Sequence, residues 1–468
     1  MGVLADTLTE AGHDVTVLMP VIDYEQQNKT GLRVTKKIIM VPPDPRVRKM
    51  KEYEKGMIND IWSMEPSIFE LTRVHDEAKI TRRGEHIRLY LYSGVIEAAS
   101  IPASIAAIST VYLELISGII GEPNNPSYIP GHMSSTGDHM SFMERIRNTI
   151  ETTFGPQFFL NAYRKEIHAI RSKMGPDFKD YEQLINDASF IITNANPYLD
   201  YPRPTLHKTV SIGGITVRIN EEGHKLPKKW DTILNERKTT VLISFGSVMK
   251  AIFMPEEYMQ TLLNVFKSMP DTTFIMKYEE EGATFADHLP NVHLSTWFPQ
   301  KALLADPRVT VFVTHSGLGS INEVAHLGRP TLLIPIFADQ LRNANMLARH
   351  GGAILLSKSD LKNPEKIKSS LETISNDKTY AQNAKRLSEM LQNQPVTAKE
   401  LFIRHAEFAA RFGRLPNLNP YATQLSFVQY HLLDVIAAIL LVIFVVFLFL
   451  YKIVGLFLKF TGVKVKDE

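Results

Sequence analysis

The sequence predicts an α/β protein with two Rossmann-like domains, followed by one transmembrane helix. Three observations support this prediction. Short β-branched runs alternate with helical patterns from residue 240 to residue 356, as parallel sheets require. One of these runs, Val309–Thr314, leads through a small-residue turn into a helix. An uncharged apolar run, Val435–Tyr451, is extended by Leu432 and Leu433 to about the length that spans a bilayer.

The chain opens in the second half of a strand–helix–strand unit. Val3, Leu4 and Leu8 lie on one helical face, Gly12 ends that helix, and residues 14–20 form a strand. The opening residues show no basic and apolar pattern typical of a signal peptide. The first strand of a doubly wound sheet is central, so the fold requires it. We therefore expect that the sequence comes from an incomplete gene model, and that this strand and a signal sequence precede Met1.

The rest of the first half is predicted from apolar and turn-forming segments. A strand with part of a helix is predicted at residues 101–120, and a turn-rich loop at 124–137. A helix follows at 141–170, and the last strand of the domain at 188–194. Within the predicted helix, Met143, Ile146 and Ile150 have helical spacing, and we expect them to pack in the interior.

A proline-rich segment separates the two halves of the chain. Three prolines in the eight residues 197–204 indicate a stiff linker. The predicted N-terminal domain is 1–195, the linker is 196–215 and the C-terminal domain is 216–394. A helical segment at 395–426, a transmembrane helix at 432–451 and a basic tail at 452–468 follow.

Composition excludes several kinds of function. The 52 basic and 50 acidic residues nearly cancel, so the chain has no charge excess of the kind that binds nucleic acid. The absence of cysteine excludes disulfides and thiolate chemistry. The sequence shows no Asp-x-Asp pair and no His/Glu cluster with metal-ligand spacing, so we predict no metal site.

The most informative stretch lies between residues 291 and 345. The strand Val309–Thr314 runs into the turn 315–320, whose backbone N–H groups and following helix would face an anion. The next predicted strand, 331–336, ends in Phe337-Ala338-Asp339-Gln340. Since ligands bind at the carboxyl ends of strands in such sheets, a diphosphate between these two loops is the expected ligand.

This stretch resembles the signature of the UDP-glycosyltransferases, the membrane-bound family that includes the UDP-glucuronosyltransferases. The matching positions are Trp297, Pro299, Gln300, His315, Gly317, Glu323, Pro335, Phe337, Ala338, Asp339, Gln340 and Asn343. The resemblance implies a fold of the GT-B type, with a UDP-sugar in the C-terminal domain and a small lipophilic acceptor in the N-terminal one. It also implies that no metal or other cofactor is needed, and that the helices after residue 395 brace the first domain.

The resemblance assigns a donor-binding role to eleven positions: Ser247, Trp297, Gln300, His315, Ser316, Gly317, Gly319, Ser320, Glu323, Asp339 and Gln340. Trp297 would stack on uracil, Gln300 would bond the polar edge of the base, and Glu323 would bind the ribose hydroxyls. These side chains suit their roles, because an indole offers a π-face and a carboxylate accepts from a diol.

The other positions would hold the phosphates and the sugar. His315 and the backbone of residues 316–320 would hold the diphosphate, with Ser247 near the phosphates. Asp339 and Gln340 would bind the sugar hydroxyls. The family often has asparagine where Gly319 stands, and we expect this difference to have a small effect because glycine keeps the backbone donors.

The resemblance leaves the catalytic residues unassigned. The family's general base is a histidine in the loop before the first helix, which here would precede Met1, and His13 matches a non-catalytic position. The aspartate that orients this base has no convincing counterpart in residues 72–92, where His75 and Asp76 are expected in a solvated loop. Two functions remain open: transfer of a glucuronosyl or glucosyl group with inversion, or donor or partner binding without turnover.

The C-terminal tail predicts the membrane orientation. Lys452, Lys459, Lys464 and Lys466 follow the apolar run, which places the tail in the cytosol by the positive-inside rule. The last two resemble a dilysine retrieval signal, so we expect a single-pass protein of the endoplasmic reticulum with lumenal catalytic domains. The sequon beginning at Asn28 would be usable in that orientation. The sequence leaves open the sugar, the acceptor and any homo- or hetero-oligomer.

Overall fold

The computed structural model describes residues 1–21, 29–42, 58–64, 99–217 and 226–460, together with residues 56, 96 and 462. The chain divides into two compact units, Met1–Leu418 and Asn419–Glu468. Several predictions lie outside the described residues. They concern the sequon at Asn28, the pair His75 and Asp76, and the lysines at 464 and 466.

The described part contains strands and helices in alternation. The strands are β1 Thr16–Pro20, β2 Lys37–Val41, β3 Ile105–Ala107, β4 Phe190–Thr193, β5 Thr209–Ser211, β6 Thr239–Ser244, β7 Thr272–Lys277, β8 Val292–Ser295, β9 Val309–Thr314, β10 Thr331–Leu333 and β11 Ala353–Leu355. Helices of the first half in the described part include α1 Gly2–Glu10, α2 Glu114–Ile120, α3 Phe142–Met174 and α4 Tyr181–Asp187, and residues 58–63 are also helical.

Ten further α-helices follow in the described part: α5 Lys228–Leu234, α6 Glu256–Lys267, α7 Gln300–Ala305, α8 Leu318–Leu327, α9 Gln340–Ala348, α10 Pro364–Asn376, α11 Lys378–Gln392, α12 Ala398–Phe412, α13 Phe427–Tyr430 and α14 Leu433–Phe460. Short 3₁₀ turns occupy Ala251–Phe253, Lys358–Lys362, Pro416–Leu418 and Tyr421–Gln424.

All strand pairs in the described part are parallel. The C-terminal half has a six-stranded sheet in the order β11-β10-β9-β6-β7-β8, and the N-terminal half has the groups β1-β2 and β3-β4-β5. In the large sheet the chain moves outward from β6 to β8 and then returns to β9 on the other side of β6. The strand order therefore reverses between β6 and β9, and a ligand is expected outside their carboxyl ends.

The core explains why the strands of the large sheet read as continuous apolar runs. Alternate residues of β6 belong to opposite faces, with Val241 and Ile243 in one hydrophobic cluster and Leu242 in another. All three are at most 1% exposed. Helices cover both faces of such a sheet, so neither face needs polar side chains, and the alternating pattern of a half-exposed strand is absent.

The structure corrects two predictions about the strands. Thr209–Ser211 forms β5 inside the segment predicted as linker, 196–215, and pairs with β4. The prediction that residues 188–194 hold the last strand of the first half is therefore wrong. The strand predicted at 331–336 ends at Leu333, because Pro335 has no N–H group with which to extend the ladder.

Helix α3 corrects a third prediction. Met143, Ile146 and Ile150 do not pack in the interior: their side chains are 71%, 41% and 44% exposed. The buried face of the helix carries Asn148 and Thr152 instead. Asn148 donates to the carbonyl oxygens of Pro126 (2.7 Å) and Ile129 (2.9 Å), so the helix is anchored by polar contacts to the turn-rich loop.

Helix α12 packs against the N-terminal half. Phe402 and Ala409 of this helix share a hydrophobic cluster with Phe190, Ile192 and Val210 of β4 and β5. His13 lies just after α1, and its Nε2 is 3.1 Å from the carboxylate of Glu407 on α12. The assignment of His13 to a non-catalytic position stays a prediction.

A buried ion pair joins the two halves at α9. The side chain of Arg342 is fully buried, and its Nη2 lies 2.8 Å from Oδ1 of Asp200. Its Nε donates to the carbonyl oxygen of Pro130 (3.2 Å). Nearby, Arg349 donates to the carbonyl oxygen of Asp200 (3.1 Å). The helix that follows the Asp339-Gln340 loop is thereby fixed to the N-terminal half.

The described residues of the second unit contain one candidate membrane span. Helix α14 has 28 residues and a mean hydropathy of 3.2 in its most apolar window, with none of that window buried. By length and composition it could cross a bilayer. It is longer at its C-terminal end than the predicted span, 432–451.

Candidate active site

A cavity of about 830 Å³ lies at the carboxyl ends of the central strands. The turn after β6, the end of β7, the start of α7 and the first turns of α8 line it from the C-terminal half. Val3 and Asp6 of α1 and residues 31–33 line it from the N-terminal half. The cavity is therefore where the reversal of strand order predicts a ligand.

The structure brings most of the predicted donor-binding residues to this cavity. Those that line it are Ser247, Trp297, Gln300, Gly319, Ser320 and Glu323. His315 lies directly behind the wall, in contact distance of the glycine positions 246 and 317. Asp339 and Gln340 are not among the lining residues. The binding roles of all these residues stay predictions.

A hydrogen-bonded network connects α7 to α8 at one end of the cavity. Gln300 Nε2 donates to Oε2 of Glu323 (2.7 Å) and to Oγ of Ser320 (3.1 Å). Glu323 is largely enclosed, and burial raises its pKa. Lys301 Nζ lies 3.9 Å from its other carboxylate oxygen. The network thus holds a carboxylate and an amide side by side, ready to pair with neighbouring polar groups of a ligand.

Trp297 presents its indole ring at the same end of the cavity. The residue is 67% exposed, which is unusual for the largest apolar side chain and leaves the ring accessible to a ligand. Two lysine ammonium groups lie near the ring centroid, Lys29 at 5.7 Å and Lys277 at 5.2 Å. An accessible indole with flanking cations is suited to stack on an aromatic, anionic ligand.

His315 is fixed between two glycines at the end of β9. A Cβ atom at Gly246 would lie 2.5 Å from the imidazole Cε1, and one at Gly317 would lie 2.6 Å from Nε2, so both positions require glycine for this ring placement. Burial and the nearby charge of Lys277 lower the pKa of His315 to about 4. The imidazole is therefore neutral at pH 7 and acts as a hydrogen-bonding group.

The first turn of α8 offers backbone donors next to His315. Its N-cap is Gly317, and no side chain caps the turn. Ser316 before it has a positive φ of 68°, a strained conformation for a non-glycine residue, and its buried Oγ has no partner among the described residues. An uncapped helix N-terminus beside a neutral imidazole is an arrangement that binds anions.

Asp339 and Gln340 are the N-cap and the first residue of α9, and they contact the loop after β10 and the first turn of this helix. Gln340 Oε1 accepts from the backbone N–H groups of Ile336 (2.9 Å) and Phe337 (3.2 Å). Asp339 Oδ2 accepts from Nδ2 of Asn343 (2.9 Å), and Ala338 has a positive φ of 55°. These contacts hold the loop after β10 in a fixed shape.

Lys277 is a site residue that the sequence analysis missed. Its side chain is 8% exposed, and its Nζ donates to the carbonyl oxygen of Gly246 (2.6 Å) and lies 3.4 Å from Glu279 Oε1. It lines the cavity between Trp297 and the turn after β6. The only signal in the sequence is that a lysine ends a strongly apolar strand, which alone does not indicate a role.

Asp6 is a second such residue, and it shapes the wall contributed by the N-terminal half. Its carboxylate accepts from the backbone N–H groups of Arg33 (2.8 Å), Val34 (3.1 Å) and Thr35 (2.9 Å). Burial raises the pKa of Asp6, but these donors outweigh burial and hold the pKa at about 2. The ionised carboxylate therefore stabilises the loop that reaches the cavity.

The substitution Asp6→Asn should lower the free energy of unfolding at pH 7 by about 1–3 kcal/mol, because it removes charge-assisted hydrogen bonds. The folded-state pKa of Asp6 is below its ordinary value, so its contribution is present above about pH 3.8 and is lost as the pH falls through about 2. Urea unfolding at several pH values tests this. The stabilities of wild type and variant should converge in acid, and a pH-independent difference would contradict the assignment.

Comparisons with known proteins agree with this geometry. The family model described as "UDP-glucoronosyl and UDP-glucosyl transferase" matches residues 90–467. The chain is 29% identical over 332 residues to human UDP-glucuronosyltransferase 1A5, covering 70% of this chain and 60% of the human enzyme. It is 25% identical over 482 residues to rat UDP-glucuronosyltransferase 1A8, covering 97% of this chain and 88% of the rat enzyme.

Solved structures show the same fold. A crystal structure of the kitacinnamycin glycotransferase superposes with a TM-score of 0.55 at 18% identity, covering 89% of this chain and 95% of that one. The structure of LpCGTa in complex with UDP gives a TM-score of 0.52 at 16% identity, covering 87% and 94%. The predicted GT-B architecture is confirmed. Since the family model matches most of the sequence, the chain belongs to the UDP-glucoronosyl and UDP-glucosyl transferase family.

Proposed function

We propose that the chain binds a UDP-sugar in the cavity and transfers its hexosyl group, glucuronosyl or glucosyl, to a small lipophilic acceptor with inversion. The observation that carries this proposal is the Gln300–Glu323–Ser320 network beside the accessible Trp297 ring. A uracil stacked on Trp297 would meet the amide of Gln300, and the ribose hydroxyls would donate to Glu323. One rigid network would thus recognise both parts of uridine.

The diphosphate would lie beside Lys277 and the first turn of α8, without a metal ion. Lys277 offers an ammonium group, and the uncapped first turn of α8 offers backbone N–H donors. Neutral His315 would add a directional hydrogen bond. These donors are fixed before the ligand arrives, so they would stabilise the negative charge that develops on the departing UDP. Donor affinity should therefore be the same in buffer with and without a chelator.

The chemistry would be a single displacement at the anomeric carbon. The acceptor hydroxyl oxygen forms the new bond while the bond to the UDP oxygen breaks, and the acceptor proton passes to a general base. We propose that Asp339 and Gln340 orient the sugar hydroxyls after a local rearrangement, because their present contacts lie within the loop after β10 and the first turn of α9. We also propose a single-pass protein of the endoplasmic reticulum with lumenal catalytic halves.

Substitution of the uridine-binding side chains tests the proposal. Trp297→Ala should weaken UDP binding by about 10- to 100-fold, as expected for loss of base–aromatic stacking. Glu323→Gln should weaken UDP binding by a similar factor but leave uracil binding unchanged, because only the nucleotide carries ribose. Titration calorimetry of the detergent-solubilised chain measures both affinities.

The matched control is Glu372→Gln, a substitution at an exposed carboxylate on α10. It should leave UDP affinity within about two-fold of wild type, as is usual for surface substitutions. Equal UDP affinities in wild type and Trp297→Ala would refute the proposed donor site. Release of UDP from UDP-glucose or UDP-glucuronic acid in the presence of a phenol is a separate measurement of turnover.

A further inference from the structure

The N-terminal part of α3 has its apolar and polar faces reversed relative to an ordinary surface helix. Residues 142–154 expose five large apolar side chains, which are 66%, 71%, 41%, 44% and 66% exposed: Phe142, Met143, Ile146, Ile150 and Phe154. At 3.6 residues per turn these side chains fall within an arc of about 120° and extend about 18 Å along the helix. We call this set the α3 apolar face.

The opposite face of the helix is polar and is the one buried in the protein. Asn148 is fully buried, donates to two loop carbonyl groups and accepts from the N–H of Gly131 (2.9 Å). Thr152 is also buried, and its hydroxyl donates to the carbonyl oxygen of Asn148 (2.7 Å). These contacts fix the rotation of the helix. The α3 apolar face therefore cannot turn inward without breaking several buried hydrogen bonds.

The charged residues of this helix lie in positions that indicate which kind of surface contacts the α3 apolar face. Arg145 and Arg147 are exposed and lie on the two sides of the α3 apolar face. The two carboxylates make contacts within the helix: Glu144 bonds the N-cap Ser141, and Glu151 pairs with Arg147 (2.8 Å) and has a side chain only 7% exposed. An apolar face with arginines at its edges matches the boundary between anionic headgroups and acyl chains.

We propose that the α3 apolar face lies in the headgroup–acyl boundary of a membrane. Because the same chain carries a candidate membrane span, α3 would belong to a protein that is attached to a bilayer. Five large apolar side chains exposed next to one another on one helix face indicate an interaction surface. Insertion would cover Phe142, Phe154 and the aliphatic side chains between them, while the arginine head groups contact lipid phosphates.

The absence of native cysteine allows a direct test with single labels on the full chain. Ile150→Cys and Ile146→Cys place an environment-sensitive fluorophore on the α3 apolar face. Met390→Cys on α11 is the matched control, since Met390 and Ile150 are both 44% exposed. Each labelled protein is reconstituted into vesicles of phosphatidylcholine and phosphatidylserine, with and without brominated acyl chains. Unchanged UDP affinity verifies that each variant is folded.

We expect labels at 146 and 150 to emit at shorter wavelength than the label at 390. They should be quenched by brominated lipid and have a several-fold lower iodide quenching constant. Iodide quenching equal to that at 390 would overturn the proposal. Shielding from iodide without quenching by brominated lipid would also overturn it, because protein rather than lipid would then cover the face.

Discussion

Gly317→Ala should weaken UDP binding by about 10- to 100-fold, whereas alanine at Gly118, an exposed glycine of α2 that does not line the cavity, should leave it within about two-fold. Gly317 has φ of −61°, so alanine causes no backbone strain there. Its new Cβ would lie 2.6 Å from Nε2 of His315, and the imidazole would have to move. The expected loss is that of one or two charge-assisted hydrogen bonds to phosphate.

Gly118→Ala is the control for this prediction. A Cβ atom added at Gly118 meets nothing within 4 Å, so this substitution adds the same methyl group without displacing His315 or entering the cavity. Calorimetric titration with UDP measures both affinities. Equal affinities of the two variants would show that the position of the His315 ring is not important for donor binding, and the phosphate site would have to be reassigned.

Arg342→Met should lower the free energy of unfolding by about 3–5 kcal/mol, because it leaves the carboxylate of Asp200 buried without its cation. The pair joins α9 to the N-terminal half, with the two side chains 0% and 5% exposed. Urea unfolding of the detergent-solubilised chain measures the loss. The double variant Arg342→Met/Asp200→Asn should recover part of the lost stability, since no charge is then left unpaired.

Lys385→Met is the matched control for this ion pair. Lys385 and Glu389 form an exposed pair on α11, with side chains 77% and 63% exposed and charged atoms 3.9 Å apart. Its removal should cost less than about 1 kcal/mol. A similarly small loss for Arg342→Met would mean that the buried pair does not fasten the two halves.

The sequence predicted the central sheet accurately where burial is complete. The predicted bounds of β9, Val309–Thr314, agree with the structure, because turn residues bound the strand and five of its six residues are buried. The convergence of Gln300, Ser320 and Glu323 could be predicted only through the spacing shared with a family. A glutamate on a helix has no local signal that it will face a cavity.

Three features depended on tertiary contacts that local sequence does not encode. β5 has only three residues and follows a proline-rich segment, so its pairing with β4 decides that it is a strand. Helix α3 has apolar side chains at helical spacing, yet Asn148 fixes the opposite face inward. Lys277 reaches the cavity because its amine bonds the carbonyl of Gly246, which is distant in sequence.

The most direct test of the central claim is whether the full chain binds UDP at the Trp297 end of the cavity. The chain has three tryptophans, and Trp62 and Trp230 are buried, so tryptophan fluorescence reports mainly on ligands at Trp297. UDP should quench this fluorescence with saturation in chelator-containing buffer, and the signal should be lost in Trp297→Ala. No saturable quenching by UDP, or the same quenching in Trp297→Ala, would contradict the proposed donor site.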